Sequence, residues 1–191
     1  MKNFIVGSIA LYCFGMMVYA IWSYLAFVGL EKRDWVGSLA YIPHGVRVMA
    51  MCYFGYRSIP ALYAIEITGP MMVYPEQYFD VWPFASIASL LSVVAACEIV
   101  KWSFSNTKGT IFMPINFTNY RSLVLVIVLS GLLNAISSNL VTSYLAGVDL
   151  SVTVIARFFI GDVIGASVLV LFLSALFTTL RVNRLLVSDK L

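Results

Sequence analysis

Long apolar runs, interrupted by short clusters of charge or by Pro and Gly, set the pattern of this chain. A hydrocarbon layer of about 30 Å takes roughly twenty apolar residues of helix, and the interruptions divide the chain into six segments. The first runs from about Phe4 to Leu30 and stops at Glu31-Lys32-Arg33-Asp34. The second, about Trp35 to Tyr56, contains Pro43, His44 and Arg47, so its helix is expected to start near Pro43 after an extended opening. The third, about Ser58 to Val73, carries Pro60 near its start and Glu66 at its middle. Both are short for a simple crossing, and a pair of broken or re-entrant helices stands beside two full spans as a reading. The fourth, about Val81 to Trp102, opens on Trp82-Pro83 and closes on Lys101-Trp102, aromatics suited to the two headgroup levels. After a polar connection come the fifth, about Arg121 to Leu145, and the sixth, about Leu150 to Leu180, with Arg181, Arg184 and Lys190 in the tail.

Composition turns this pattern into a fold class. Hydrophobic residues make up 61% of the chain and charged residues 11%, and the mean hydropathy of +0.93 lies far above the soluble range. In lipid every backbone N–H and C=O must be paired internally, which leaves helices or a closed barrel, and unbroken apolar runs lack the alternation of a barrel. The expectation is an all-α integral membrane protein, a bundle of about six transmembrane helices. Residues 1–191 are expected to form a single transmembrane domain, with no soluble output domain. The first segment is too long for the core of a cleaved signal and no small-x-small site follows it, so it is expected to stay as an anchor.

Charge then suggests an orientation. Twelve Lys and Arg against nine Asp and Glu give +3, a small excess that speaks for membrane topology and not for a nucleic-acid partner. If six segments alternate with both ends inside, the inner side collects Lys2, Arg57, Lys101, Lys108, Arg121, Arg181, Arg184 and Lys190. The outer loops keep Lys32 and Arg33, together with Glu76, Asp80 and Asp149. Both termini are therefore expected to be cytoplasmic.

Ionisable groups inside apolar segments are the candidates for chemistry, because a charge near the bilayer centre costs at least about 2.5 to 3.5 kcal/mol unless paired or hydrated. Arg47, Glu66, Arg157 and Asp162 qualify. Two are positive and two negative, so they suit either a polar pocket for a ligand or partner, or structural pairing between helices. Arg47 with Glu66 or Asp162 is the preferred pairing. Arg157 and Asp162, five apart, fall on different faces of one helix, and each is expected to find its partner elsewhere. His44, beside Pro43 and Gly45 at a helix start, reads either as a hydrogen-bonded structural residue or as a pH-responsive group. Glu98 and Lys101 read as an ordinary surface pair.

Small and amide residues mark the helix contacts: Gly161 and Gly165 are four apart as in small-xxx-small packing, and Asn134, Ser137, Ser138 and Asn139 are placed to bond across helices. Cys13, Cys52 and Cys97 show no pairing pattern and no metal-ligand spacing, and are read as small hydrophobes. No nucleophile elbow, zinc-protease motif, phosphate-cradling loop or Cys-x-x-Cys is present, so no enzyme, no cofactor and no metal is expected.

The stretch Tyr41-Ile42-Pro43-His44-Gly45-Val46-Arg47, followed by Gly55-Tyr56-Arg57-Ser58-Ile59-Pro60 and Glu66, resembles the opening of bacterial membrane-associated sensor domains of the first MASE class, which include the membrane region of the hexose-phosphate sensor kinase. Gly161-Asp162-Val163-Ile164-Gly165 is similar to the Gly-Asp-x-x-Gly segment in that family's last core helices. The two blocks cover about half of the chain, in the family's order. The resemblance implies a signal-input module of a bacterial inner membrane, usually N-terminal to a cytoplasmic cyclase, phosphodiesterase or histidine kinase. The family typically shows about eight segments against the six read here, and a chain ending soon after its last segment would need its output from a separate membrane or signalling protein. The expected function is thus a non-enzymatic sensor-like module acting through a partner. A small component of a multi-subunit transporter and an accessory subunit of a larger membrane complex are the alternatives.

Overall fold

The computed structural model describes residues 2–29, 39–73, 81–104, 120–147 and 149–188. Among them the chain is all-helical, with no strand: α1 (Lys2–Gly29), α2 (Ile42–Phe54), α3 (Ile59–Val73), α4 (Trp82–Phe104), α5 (Tyr120–Ala146) and α6 (Val152–Ser188). Four helices are long and apolar enough to cross a membrane, over Phe4–Ala26, Trp82–Ser103, Tyr120–Ala146 and Val152–Leu180. The protein is thus a multi-pass membrane protein by helix length and composition. At 13 and 15 residues, α2 and α3 are about 20 and 22 Å long, below the length of a simple span. Glu31, Lys32, Arg33, Asp34, Glu76, Asp80, Lys108 and Lys190 lie outside the described residues.

Local chemistry explains the two short helices. Pro43 sits in the first turn of α2, where a missing N–H costs nothing. A turn of 3₁₀ helix, Gly55–Ser58, ends α2, and its first residue has φ +60°, a conformation that favours glycine. The Ser58 hydroxyl closes this joint by donating to the Gly55 carbonyl at 2.6 Å. Pro60 then occupies the first turn of α3.

The joint reverses the chain. Arg47 and Glu66 are 19 residues apart and bonded at 2.6 Å, whereas one continuous helix would separate them by about 28 Å. Arg47 bonds Ser89 in α4 and Tyr56, at the joint, bonds Glu98, so α2 runs parallel to α4 and α3 runs back.

The remaining contacts extend this alternation. Tyr12 bonds Thr68 and Trp22 bonds the Ala40 carbonyl, placing the end of α1 beside the start of α2. Ser92 bonds Ser137, and Phe84 and Ile87 line a groove with Leu140 and Tyr144, so α5 is antiparallel to α4. Gly45 packs on Ala166 and Leu169 while Gly165 meets Tyr41 and Ile42, which makes α6 parallel to α2. All six helices alternate in direction. Arg57, Lys101, Arg121 and the turn of α6 bearing Arg181 and Arg184 consequently fall at one end of the bundle.

The core runs along α2: Val46, Val48, Ala50, Met51 and Cys52 are buried against Leu62, Val93, Ala96, Cys97, Val126 and Ala166. Exposed apolar side chains such as Leu91, Val124, Leu171 and Phe172 cover the outside, the distribution expected when lipid is the solvent. Of the two short helices α2 is therefore the inner one, in contact with all four long helices, while α3 packs against α1 and α4.

Candidate functional site

Nine side chains and one backbone carbonyl form a connected polar cluster inside this apolar bundle. Arg47, buried on α2, is its hub. Its Nε donates to Glu66 Oε1 at 2.6 Å, its two terminal nitrogens donate to Ser89 Oγ at 2.5 Å and to the Tyr41 hydroxyl at 3.1 Å, and its guanidinium lies 5.1 Å from the Tyr41 ring centre. A guanidinium offers five N–H donors in a fixed fork, and here the fork reaches α3, α4 and the residue before α2 at once. Ser89 is seven residues beyond Trp82, about 10 Å along the helix axis, so the hub is held well inside the apolar layer of α4.

The second half of the cluster is built on α5 and α6. His44, one turn before Arg47, places Nε2 3.0 Å from Ser130 Oγ and Nδ1 3.4 Å from the Arg47 guanidinium. Asp162 Oδ2 accepts from Asn134 Nδ2 at 2.6 Å, and Ser138 donates to Asn134 Oδ1 at 2.8 Å, which fixes the amide's orientation. The same Asp162 oxygen lies 3.7 Å from His44 Nδ1. Arg47 has only protons to offer, and Nδ1 accepts from it in the tautomer that carries the imidazole proton on Nε2, which we assign here. Ser130 accepts that proton and passes its own to the Ile127 carbonyl at 3.2 Å. Among the described residues, every buried side-chain nitrogen and oxygen has a partner.

Backbone groups complete the site through proline chemistry. Pro70 lies inside α3 and has no N–H, so the carbonyl four residues earlier, that of Glu66, loses its helical donor. Trp82 Nε1 takes its place at 2.7 Å, and Ser86 adds a longer bond at 3.4 Å. The backbone of the Arg47 partner is thereby fixed as well as its carboxylate. On the other side, the Tyr41 N–H donates to the Gly161 carbonyl at 2.8 Å. Gly165 lies so close to the Tyr41 carbonyl and Ile42 nitrogen that a Cβ there would overlap them.

Of the residues singled out by sequence, the structure brings His44, Arg47, Glu66 and Asp162 together, and Arg47 takes Glu66 as its ion-pair partner. Arg157, also expected in the polar core, is partly buried on α6, one and a half turns before Asp162. Asn134 bonds across helices as expected, and Gly161 and Gly165 pack against the start of α2 instead of a full-length helix. Asn139 does not bond across: its amide donates to the Ala135 carbonyl of its own helix at 2.7 Å, because five residues beyond Asn134 it points to a different face. Glu98 pairs with Lys101 at 2.8 Å and also accepts from Tyr56. Cys52 on α2 and Cys97 on α4 are both buried in the same core cluster, neighbours 45 positions apart that spacing could not disclose. Sequence reasoning also missed Tyr41, Ser89 and Ser130 as members of the site, an aromatic just before α2 and two small hydroxyl residues whose only signal was their place in apolar runs.

This architecture defines an all-helical, multi-pass membrane protein with a buried, charged centre. Comparison with protein families, with curated proteins and with solved structures finds no match for the chain.

Proposed function

We propose that this chain is a non-enzymatic, sensor-like membrane module that passes a conformational signal to a partner protein. The observation that carries the proposal is the connected network through Arg47, which joins α2, α3 and α4 and continues through His44 to α5 and α6. A buried ion pair is a costly way to hold helices together, since hydrophobic residues of similar volume often do as well or better. Its use here suits a bistable element: moving α6 breaks the Asp162 contacts, frees His44 and alters the fork that holds α3. Input at one helix is thereby read at the others. The likeness of the Tyr41–Arg47 and Gly161–Gly165 segments to the first MASE class of sensor domains supports the same reading.

In this proposal the α2–α3 hairpin completes six crossings, because α2 and its joint run beside most of the length of α4. The end that gathers Arg57, Lys101, Arg121, Arg181 and Arg184 faces the cytoplasm of a bacterium, as the distribution of basic residues in membrane proteins suggests. Extraction of the chain from native membranes in a mild polymer, followed by mass spectrometry, is the test. A stoichiometric signalling or membrane protein that is lost with Arg47→Ala or Asp162→Ala is the expected outcome. Wild-type protein that travels alone, or a partner indifferent to these substitutions, overturns the reading.

One feature favours a second reading. A short helical hairpin with a proline inside one arm, Pro70, and charges near the middle of the bundle is also the construction transporters use around a midplane site. Uptake by proteoliposomes containing the chain, alone or with its co-purified subunits, would move the assignment to transport.

A further inference from the structure

The charges of the buried cluster do not balance as drawn. Arg47 carries one positive charge and makes its shortest carboxylate bond to Glu66, which uses that charge up. Asp162 is left as a second carboxylate, 1% exposed, whose charged or ionisable surroundings can be named in full. From α2 it faces His44 at 3.7 Å and, beyond it, Arg47. From α3 the nearest ionisable group is Glu66, already paired, and the Tyr41 hydroxyl points to Arg47. From α5 it meets only the neutral Asn134, with Ser130 and Ser138 behind. On α6 itself Arg157 is one and a half turns away and only partly buried.

The tautomer assigned to His44 sharpens the point. With its proton on Nε2, its Nδ1 lone pair faces Asp162 Oδ2, and a bare carboxylate would set two lone pairs against each other in an apolar interior. One proton on the carboxyl removes the repulsion and makes the cluster neutral. The adjacent guanidinium disfavours a second cation on the imidazole, so the proton belongs to the carboxyl, on the side that faces Nδ1. Asn134 Nδ2 can donate to Oδ2 whether the acid is ionised or not.

We infer that the Asp162 carboxyl, facing His44 Nδ1 at 3.7 Å in the interior of the bundle, is a binding site for a single exchangeable proton. Binding is a simple association: H⁺ adds to the Asp162 carboxylate, no other bond breaks, and release returns it to water. The inference rests on geometry and charge balance alone and stands whether or not a partner protein is found.

Infrared difference spectroscopy of the full chain in lipid nanodiscs tests it. Aspartate and glutamate side-chain carboxyls are isotopically labelled in turn, and spectra are recorded at neutral pH, where solvated carboxylates with pKa values of about 4 have ionised. The expected result is a protonated-acid carbonyl band that shifts with aspartate labelling only, disappears in Asp162→Asn, and persists in Arg157→Gln. No protonated-acid band in the wild type, or one that follows glutamate labelling, overturns the inference. So does a wild-type aspartate band that survives Asp162→Asn, or a band that appears only when Arg157 is removed, since the latter would make Arg157 the counter-charge.

Discussion

At the residue scale, the most instructive contact is the one made to compensate for a proline. Pro70 removes a helical donor from the Glu66 carbonyl and Trp82 supplies another from a different helix. Trp82→Phe keeps the aromatic bulk and deletes that donor, leaving only the long bond from Ser86. A stability loss of about 1–3 kcal/mol is expected in thermal unfolding. Pro70→Ala restores an N–H to α3 and should recover most of it, and equal losses in the two backgrounds would show that Trp82 acts by packing alone. Glycine offers a second pair of predictions. Gly165→Ala drives a methyl group into the Tyr41 carbonyl and should cost about 1–3 kcal/mol. Gly7→Ala, on α1 with nothing within 4 Å, should be neutral or stabilising by up to about 1 kcal/mol.

Helices α1, α4, α5 and α6 were legible at the element scale, since about twenty apolar residues between charged or polar breaks can satisfy the bilayer in one way only. The start of α2 was legible too, through Pro43. The packing faces were not. These helices are apolar nearly all round, so periodicity does not distinguish a lipid-facing Leu91 from a buried Val93. Charge revealed Arg47, Glu66 and Asp162 because an ion in hydrocarbon demands an explanation, while Ser89 and Ser130 can satisfy themselves on their own helix and raise no flag. Trp82 looked like an interfacial anchor for the same reason: composition gives a residue's depth, and only the fold gives its neighbour. The burial of Cys52 and Cys97 in one cluster between α2 and α4 offers a test of the register of the two helices. A small lipid-permeable oxidant should link these two thiols within one chain, leaving Cys13, which is exposed on α1, free for alkylation. A bridge involving Cys13 would require a different helix arrangement.

For the whole molecule, alternating helix direction and the gathering of basic residues at one end make the same statement about topology. Single cysteines introduced for Arg57 and Arg121 in a cysteine-free background should be labelled by an impermeant maleimide from the same side of sealed membranes, and one introduced for Asp149 from the other. Labelling of positions 57 and 121 from opposite sides would remove the α2–α3 hairpin as described. The arrangement also explains why the shortest helices carry the polar centre. Enclosed by the long helices, α2 meets little lipid, and its buried charges are answered by protein groups on α3, α4, α5 and α6.

Arg47 and Glu66 act as one unit in the middle of the bundle, and a double-mutant cycle in a single lipid environment measures their coupling. Arg47→Met and Glu66→Leu each strand the other charge in an apolar interior and should each cost about 3–5 kcal/mol in thermal unfolding. The double substitution should lie closer to the wild type than either single one, which requires a coupling of at least about 3 kcal/mol. Two losses that simply add would mean that the charges do not meet, and the network built around them would have to be abandoned.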